Sequence, residues 1–186
     1  MLEAKEVSKI FPGVKALDNV SIKFNSGEIH ALLGENGAGK STFIKIVSGV
    51  YKPDGGKIFF DNQIYNVATP LEALQKGVYT VYQEPQIIPQ STIAENMMLG
   101  RLPRKGKIGL VDWKKANEVA KKYLEMVGLD ISPTTIISRL TPAQKQLVEV
   151  AKALIFKSKI LLLDEPTSSL TERETERLFK IMTKLK

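Results

Sequence analysis

Gly34-Glu35-Asn36-Gly37-Ala38-Gly39-Lys40-Ser41-Thr42 constrains this chain more than any other stretch. It fits G-x-x-x-x-G-K-[ST], a pattern whose glycines let the backbone curl so that successive N–H groups face a phosphate. Upstream, Ile29-His30-Ala31-Leu32-Leu33 reads as a short buried strand. Downstream, Phe43, Ile44, Ile46 and Val47 recur at helical spacing as far as Gly49, a C′ residue. Strand, glycine loop and helix in that order aim a helix N-terminus at the anion. Lys40 reaches the β- and γ-phosphates as a point charge, and the Ser41 hydroxyl can ligate Mg²⁺. A bare glycine turn needs neither the Lys-Ser pair nor those flanks, so the stretch points to a nucleoside-triphosphate site.

Length and composition narrow the setting. The 186 residues suffice for one domain with a proper core, or one with a subdomain. No apolar run approaches the ~18 residues that would span a bilayer, and the start, Met1 to Glu6, lacks the form of a signal peptide. With no cysteine, disulfides and thiolate metal sites are excluded, and a cytosolic address fits. The net charge of +7 is locally dense at Arg101, Arg104, Lys105 and Lys107. Such an excess suits nucleic acid, anionic lipid or nucleotide. Without aromatic residues interleaved in the cluster, it reads first as a solvated basic surface.

Taken in order, the chain up to about Gly27 looks like β-structure outside the nucleotide core, with Val20, Ile22 and Phe24 alternating with polar residues. Lys52 to Gly56 turns into a strand at Ile58-Phe59-Phe60, and Asp61-Asn62-Gln63 turns again. Thr69-Pro70 starts a short helix that Gly77 ends. Val78 to Tyr82 is a buried strand with Gln83 at its end, where open α/β sheets place ligand contacts. From Pro89 the pattern is helical for some seventy residues. Thr92 to Glu95 is a capping box opening a helix through Leu99; Asp112 opens another, with Trp113 expected as a packing anchor. Thr141, Pro142 and Gln144 occupy N-cap, N1 and N3 of the next. Lys159 to Glu165 is an apolar strand ending in two carboxylates. Beside a phosphate loop, Asp164 there would hold Mg²⁺ and Glu165 would orient and deprotonate a water. Thr171 to Glu174 caps the last helix, whose stripe is Leu178, Ile181, Met182 and Leu185.

The phosphate loop, Gln83 after a strand, a helical insertion, a helix-starting motif and an acidic strand end, in that order, resemble the ATP-binding cassette (ABC) family along the whole chain. The resemblance implies an α/β fold: a P-loop NTPase core with a mostly parallel sheet, an antiparallel β subdomain and an α-helical subdomain. Residues 1–186 would form one nucleotide-binding domain, truncated at its C-terminus, with the helical subdomain at 89–157. It implies ATP and Mg²⁺ as ligands. Phe11 falls where the family stacks an aromatic ring on adenine, and Gly34, Glu35, Asn36, Gly37, Ala38, Gly39, Lys40, Ser41 and Thr42 would bind the phosphates. Glu165, Lys40 and Gln83 take catalytic roles, and Ser41, Gln83 and Asp164 the metal. Leu140, Thr141, Pro142, Ala143 and Gln144 fall on the signature motif, which serves the partner cassette's site, and Thr167 to Leu170 on the D-loop.

Phe11 to Leu17, Tyr82 to Pro85, Thr92 to Asn96 and Asp164 to Thr171 are similar to the ribose/galactose-type monosaccharide importers. Those importers carry two cassettes on one polypeptide, and the chain matches the first. The implied partners are that second cassette, membrane permease subunits and, indirectly, a periplasmic or extracellular sugar-binding protein, at the cytoplasmic face of the membrane. No nucleic acid is expected. The alternatives are a nucleoside-type importer ATPase and a soluble nucleic-acid- or ribosome-associated ABC ATPase, the latter supported only by the charge. No Asn-Lys-x-Asp guanine reader is present. Two departures stand out. The signature reads Thr141-Pro142-Ala143 where the family has Ser-Gly-Gly, and the family's switch histidine lies beyond Lys186. The lone histidine, His30, is assigned to packing, and the 186 residues alone are expected to be a fragment that binds ATP weakly and hydrolyses it negligibly.

Overall fold

Alternating burial along the first strands builds the N-terminal sheet. In the computed structural model, which describes residues 1–83, 86–106, 109–167 and 170–185, β1 (Leu2–Phe11) turns Leu2, Ala4 and Val7 inward. Antiparallel to it runs β2 (Val14–Phe24). Pro12 and Gly13 join them. Proline presets the first central residue of the turn, and Gly13 adopts the φ of 80° that a side chain would oppose. The helix α1 (Lys40–Val47) buries Phe43, Ile44, Ile46 and Val47. Its end is a Schellman closure: Gly49 N–H donates to Ile46 O and Val50 N–H to Lys45 O, with Gly49 at φ 77°. β3 (Gly55–Phe60) pairs with β1. Asp61 and Asn62, at φ 49° and 64°, then form the two-residue turn into β4 (Gln63–Ile64). The sheet order is β2-β1-β3-β4. In α2 (Pro70–Gln75), Thr69 caps by accepting from Glu72 N–H and Pro70 stands at N1. Tyr65 donates its hydroxyl to Val47 O, 2.8 Å away, and burial holds its phenol well above the ordinary tyrosine range.

Those elements belong to one of two compact units, Met1–Tyr79 with Met182–Lys186; the other is Thr80–Ile181. β5 (Val78–Val81) runs from the first into the second. There follow α3 (Ile93–Met97), β6 (Arg104–Lys105), β7 (Leu110–Val111) and α4 (Trp113–Met126). A 3-10 turn at Ile137–Arg139 precedes α5 (Pro142–Ile155), β8 (Ile160–Leu163) and α6 (Glu172–Leu185). The core of this unit is helical: Ile93, Ala94 and Met97 of α3, Ala116, Ala120 and Leu124 of α4, Val148, Val150 and Ala151 of α5. Capping boxes form at Thr92/Glu95, Thr141/Gln144 and Thr171/Glu174. Asn96 is buried, and its side chain accepts from Ile88 N–H while donating to Ile88 O and Thr92 O. It thereby pins the segment before α3. Among the described residues no helix is long and apolar enough to cross a membrane.

Four readings of the sequence need correction. Ile29 to Leu33 forms no strand; Ile29 is 45% and Leu33 90% exposed. An apolar run becomes a buried strand only when a neighbour supplies both ladder bonds and cover. His30 is correspondingly not in a strand: it pairs with Glu28 at 2.7 Å and sets its ring edge-on to Phe24. Trp113 is 46% exposed rather than an anchor, because it sits at the first residue of α4 ahead of the buried Ala116-Ala120-Leu124 stripe. The helical stretch after Pro89 is interrupted by the β6–β7 hairpin, in which Lys105 opposes Leu110 and Arg104 opposes Val111, and α3 stops at Met97 rather than Leu99. Glu84 and Pro85 of the run after Gln83, Lys107 of the basic cluster, Ser168 and Ser169 of the D-loop run, and the Leu185 side chain lie outside the described residues.

Candidate nucleotide site

The loop before α1 is the candidate anion cradle. Gly37 and Gly39 sit at φ 86° and 88°, the left-handed backbone from which anion-binding turns are made. Gly39 has a second reason to lack a side chain: a Cβ there would stand 2.4 Å from Ala16 O and 2.6 Å from Leu17 Cδ2. β2 thus presses on the loop and fixes its height. Ala38 N–H donates to Glu35 O and Phe43 N–H to Gly39 O. The amides of Gly39, Lys40 and Thr42 donate to no acceptor among the described residues. Residues Gly34 to Ala38 are exposed, so the cradle is open to solvent. Lys40 Nζ lies over it, donating to Gly34 O at 2.7 Å and Glu35 O at 2.9 Å. An ammonium with flexible reach and free backbone N–H groups beside a helix N-terminus is the donor set a polyphosphate requires.

Phe11, at the end of β1, is half-buried with Tyr51 edge-on at 5.3 Å and Lys9 Nζ 5.5 Å from its ring centroid. Lys9 in turn pairs with Asp54 at 3.0 Å, and Asp54 also accepts from Ile10 N–H at 2.7 Å. These bonds, the backbone one first, hold the Asp54 carboxyl below its usual range. Tyr51 was not signalled by the sequence, since nothing but the folded geometry brings it to Phe11.

In the second unit, Asp164 N–H donates to Val81 O at 3.0 Å, so the acidic end of β8 lies beside the end of β5. Gln83 follows two residues after Val81 and is exposed. The structure therefore brings Gln83's strand and the Asp164-Glu165 pair to one edge, as ligand-binding sheets do. Glu165 adopts φ 48°. Left-handed backbone at a non-glycine residue costs on the order of 1–3 kcal/mol.

The Thr141 motif forms the first turn of α5, and its donors are largely spent. Pro142 has no N–H, Gln144 N–H goes to Thr141 Oγ1, and Lys145 N–H goes to Thr141 O. That leaves the amide of Ala143, a residue only 8% exposed. Beside this turn lies a pocket of about 200 Å³ lined by Thr141, Ala143, Gln144, Glu174 and Arg177 among others. It is smaller than the roughly 300–1,000 Å³ of ordinary ligand pockets and is no nucleotide site by itself.

The family model described as "ABC transporter" matches residues 17–168, from the strand that presses on the cradle through the acidic end of β8 and into the D-loop run. The chain belongs to the ABC transporter family. Its relatives in the family include a putative ribose/galactose/methyl galactoside import ATP-binding protein of Halalkalibacterium halodurans, 48% identical over 186 residues, which are 100% of this chain and 36% of that protein. A ribose import ATP-binding protein of Rubrobacter xylanophilus is 46% identical over 186 residues, 37% of its length. The chain thus spans little more than a third of the length of these relatives. Among solved structures, an ATP-binding cassette of an ABC transporter in its ADP conformation matches with TM-score 0.86 and 29% identity, over 99% of this chain and 76% of that one. A dimeric bacterial ABC transporter cassette matches with TM-score 0.82 and 27% identity, over 100% and 82%. The fold is accordingly α/β, that of the ABC-type P-loop NTPases.

Proposed function

We propose that the chain is the ATP-binding and hydrolysing cassette of an importer for monosaccharides of the ribose and galactose class, working at the cytoplasmic face of a membrane against permease subunits. The cradle around Lys40 is the observation that carries the ATP reading; the sugar class is supported by what the relatives' names say of those proteins. Lys40 and the free amides of Gly39 and Thr42 would hold the phosphates, and Phe11 would stack on the base. Glu165 would take the proton of the attacking water, and Gln83 would position that water. Ser41, Gln83 and Asp164 offer hydroxyl, amide and carboxylate oxygens, the hard donor set that suits Mg²⁺, which when bound would neutralise phosphate charge. A sugar-binding protein outside the membrane would deliver the solute to the permease. In the full chain, Lys40→Met should abolish binding of a fluorescent ATP analogue, while Glu165→Gln should retain it and lower turnover by about 10²-fold or more. Undiminished turnover in Glu165→Gln would sink the assignment of the base. ATPase activity of the full transporter that ignores ribose and galactose alike would sink the substrate class.

A second cassette would complete the site, in line with the dimeric relative, and the 186 residues alone would bind ATP weakly and turn it over negligibly. The first turn of α5, with Pro142 lacking an N–H, supports a further assignment: Leu140 to Gln144 would face a weakly hydrolysing or non-hydrolysing site on that second cassette. Pro142→Gly in the full-length protein should then raise steady-state ATPase activity at unchanged assembly, since one donor to a developing charge is worth roughly 10²–10³-fold. An unchanged rate would count against it.

A further inference from the structure

We propose that the loop cluster between α3 and α4 is a docking surface for an anionic lipid bilayer, a binding role separate from the nucleotide cycle. Arg101, Arg104, Lys105, Lys114 and Lys115 are all exposed there. No carboxylate of the described residues lies within ion-pairing distance of any of them. The one acidic residue among the described members of 99–115 is Asp112, and its carboxylate caps α4 by accepting from Lys115 N–H at 3.1 Å. Five cations against that single carboxylate leave the patch strongly positive among the described residues.

Apolar side chains stand among the cations. Leu99 is 51% exposed, Leu110 63% and Trp113 46%. Lys105 and Leu110 are direct cross-strand partners in the β6–β7 hairpin and therefore share a face. The base of the hairpin is fixed by Asp112 N–H donating to Pro103 O at 2.8 Å, which places Trp113 immediately beyond it. Tryptophan and leucine beside lysine and arginine is the composition of surfaces that lie in the headgroup region: cations meet phosphate, the indole takes the interface, and aliphatic chains enter the acyl boundary. A nucleic acid would satisfy the cations and could stack the indole, but it offers exposed Leu99 and Leu110 no apolar phase. That difference favours the bilayer.

Trp113 is the only tryptophan in the chain, so its fluorescence reports this surface alone. The 186-residue chain titrated with phosphatidylglycerol-rich vesicles should show a blue shift of Trp113 emission and co-sedimentation, both weakened by salt and both absent with pure phosphatidylcholine. The pair Arg104→Glu with Lys105→Glu should lower partitioning roughly tenfold or more. The pair Lys23→Glu with Lys57→Glu, equal in charge and placed on the N-terminal sheet, should leave it near the parent value. Melting temperatures of both variants establish that each is folded. Equal loss in the two pairs would show that net charge alone is acting and would overturn the proposal. So would a blue shift with pure phosphatidylcholine, no shift with either vesicle, or a shift produced by duplex DNA or RNA and not by vesicles.

Discussion

At Gly39 the backbone leaves no room for a methyl group: a Cβ would meet a β2 carbonyl at 2.4 Å, and φ is 88°. Gly37 shares the sign of φ, at 86°, but has open space around its missing Cβ. The two glycines are therefore distinguishable. Gly39→Ala should lower ATP affinity tenfold or more and cost about 1–3 kcal/mol of stability, whereas Gly37→Ala should cost about 1 kcal/mol from backbone strain alone. Thermal melts with and without nucleotide would separate them. Asp54 carries a pH prediction of definite sign. Its folded-state carboxyl is held low by Ile10 N–H and Lys9, so its contribution is present above the ordinary carboxylate range and is lost as pH falls through the depressed value. Only when the pH falls through that depressed value, below the ordinary carboxylate range, should the Lys9–Asp54 pair open and Phe11 lose the ammonium near its ring. A carboxylate titration by NMR should find Asp54 among the last carboxyls to protonate, and the Phe11 ring shifts should follow it. An Asp54 midpoint at the normal value would contradict this account.

The helices of the second unit were legible because their signals are local. Thr92-x-x-Glu95, Thr141-x-x-Gln144 and Thr171-x-x-Glu174 close their own capping bonds within one turn, so three residues of spacing suffice to predict them. What the sequence misjudged depends on distant partners. Ile29 to Leu33 has strand composition but no strand; β6 and β7 are two residues each, below any periodic pattern; Trp113, expected as a packing anchor, stands exposed at the first residue of α4. Asn96 is the polar exception inside α3, since nothing in the pattern announces that its amide bonds the backbone of Ile88. Asn96→Ala would remove a buried amide that makes three part-buried bonds to Ile88 and Thr92 and should cost roughly 2–3 kcal/mol. Thr92→Ala, which removes one cap, should cost about 1 kcal/mol. Chemical denaturation of the two variants should rank them in that order; near-equal losses would mean that the Ile88 bonds matter little.

For the molecule as a whole, the sequence identified the cradle and the acidic strand end because each is a compact motif, and it misplaced the apolar ribbon that leads into the cradle. Leu33, 90% exposed, is bonded directly to Gly34, the first residue of the phosphate loop. An uncovered ribbon of this kind should make the 186-residue chain bind hydrophobic dye and associate as its concentration rises. Leu33→Lys should reduce both without lowering the melting temperature, and a fall in that temperature would show that Leu33 is packed after all. Its adjacency to the loop has a reciprocal outcome. Whatever shelters Ile29 and Leu33 lies next to the first residue of the phosphate loop, so any factor by which that shelter changes triphosphate affinity must be returned by the triphosphate to the shelter.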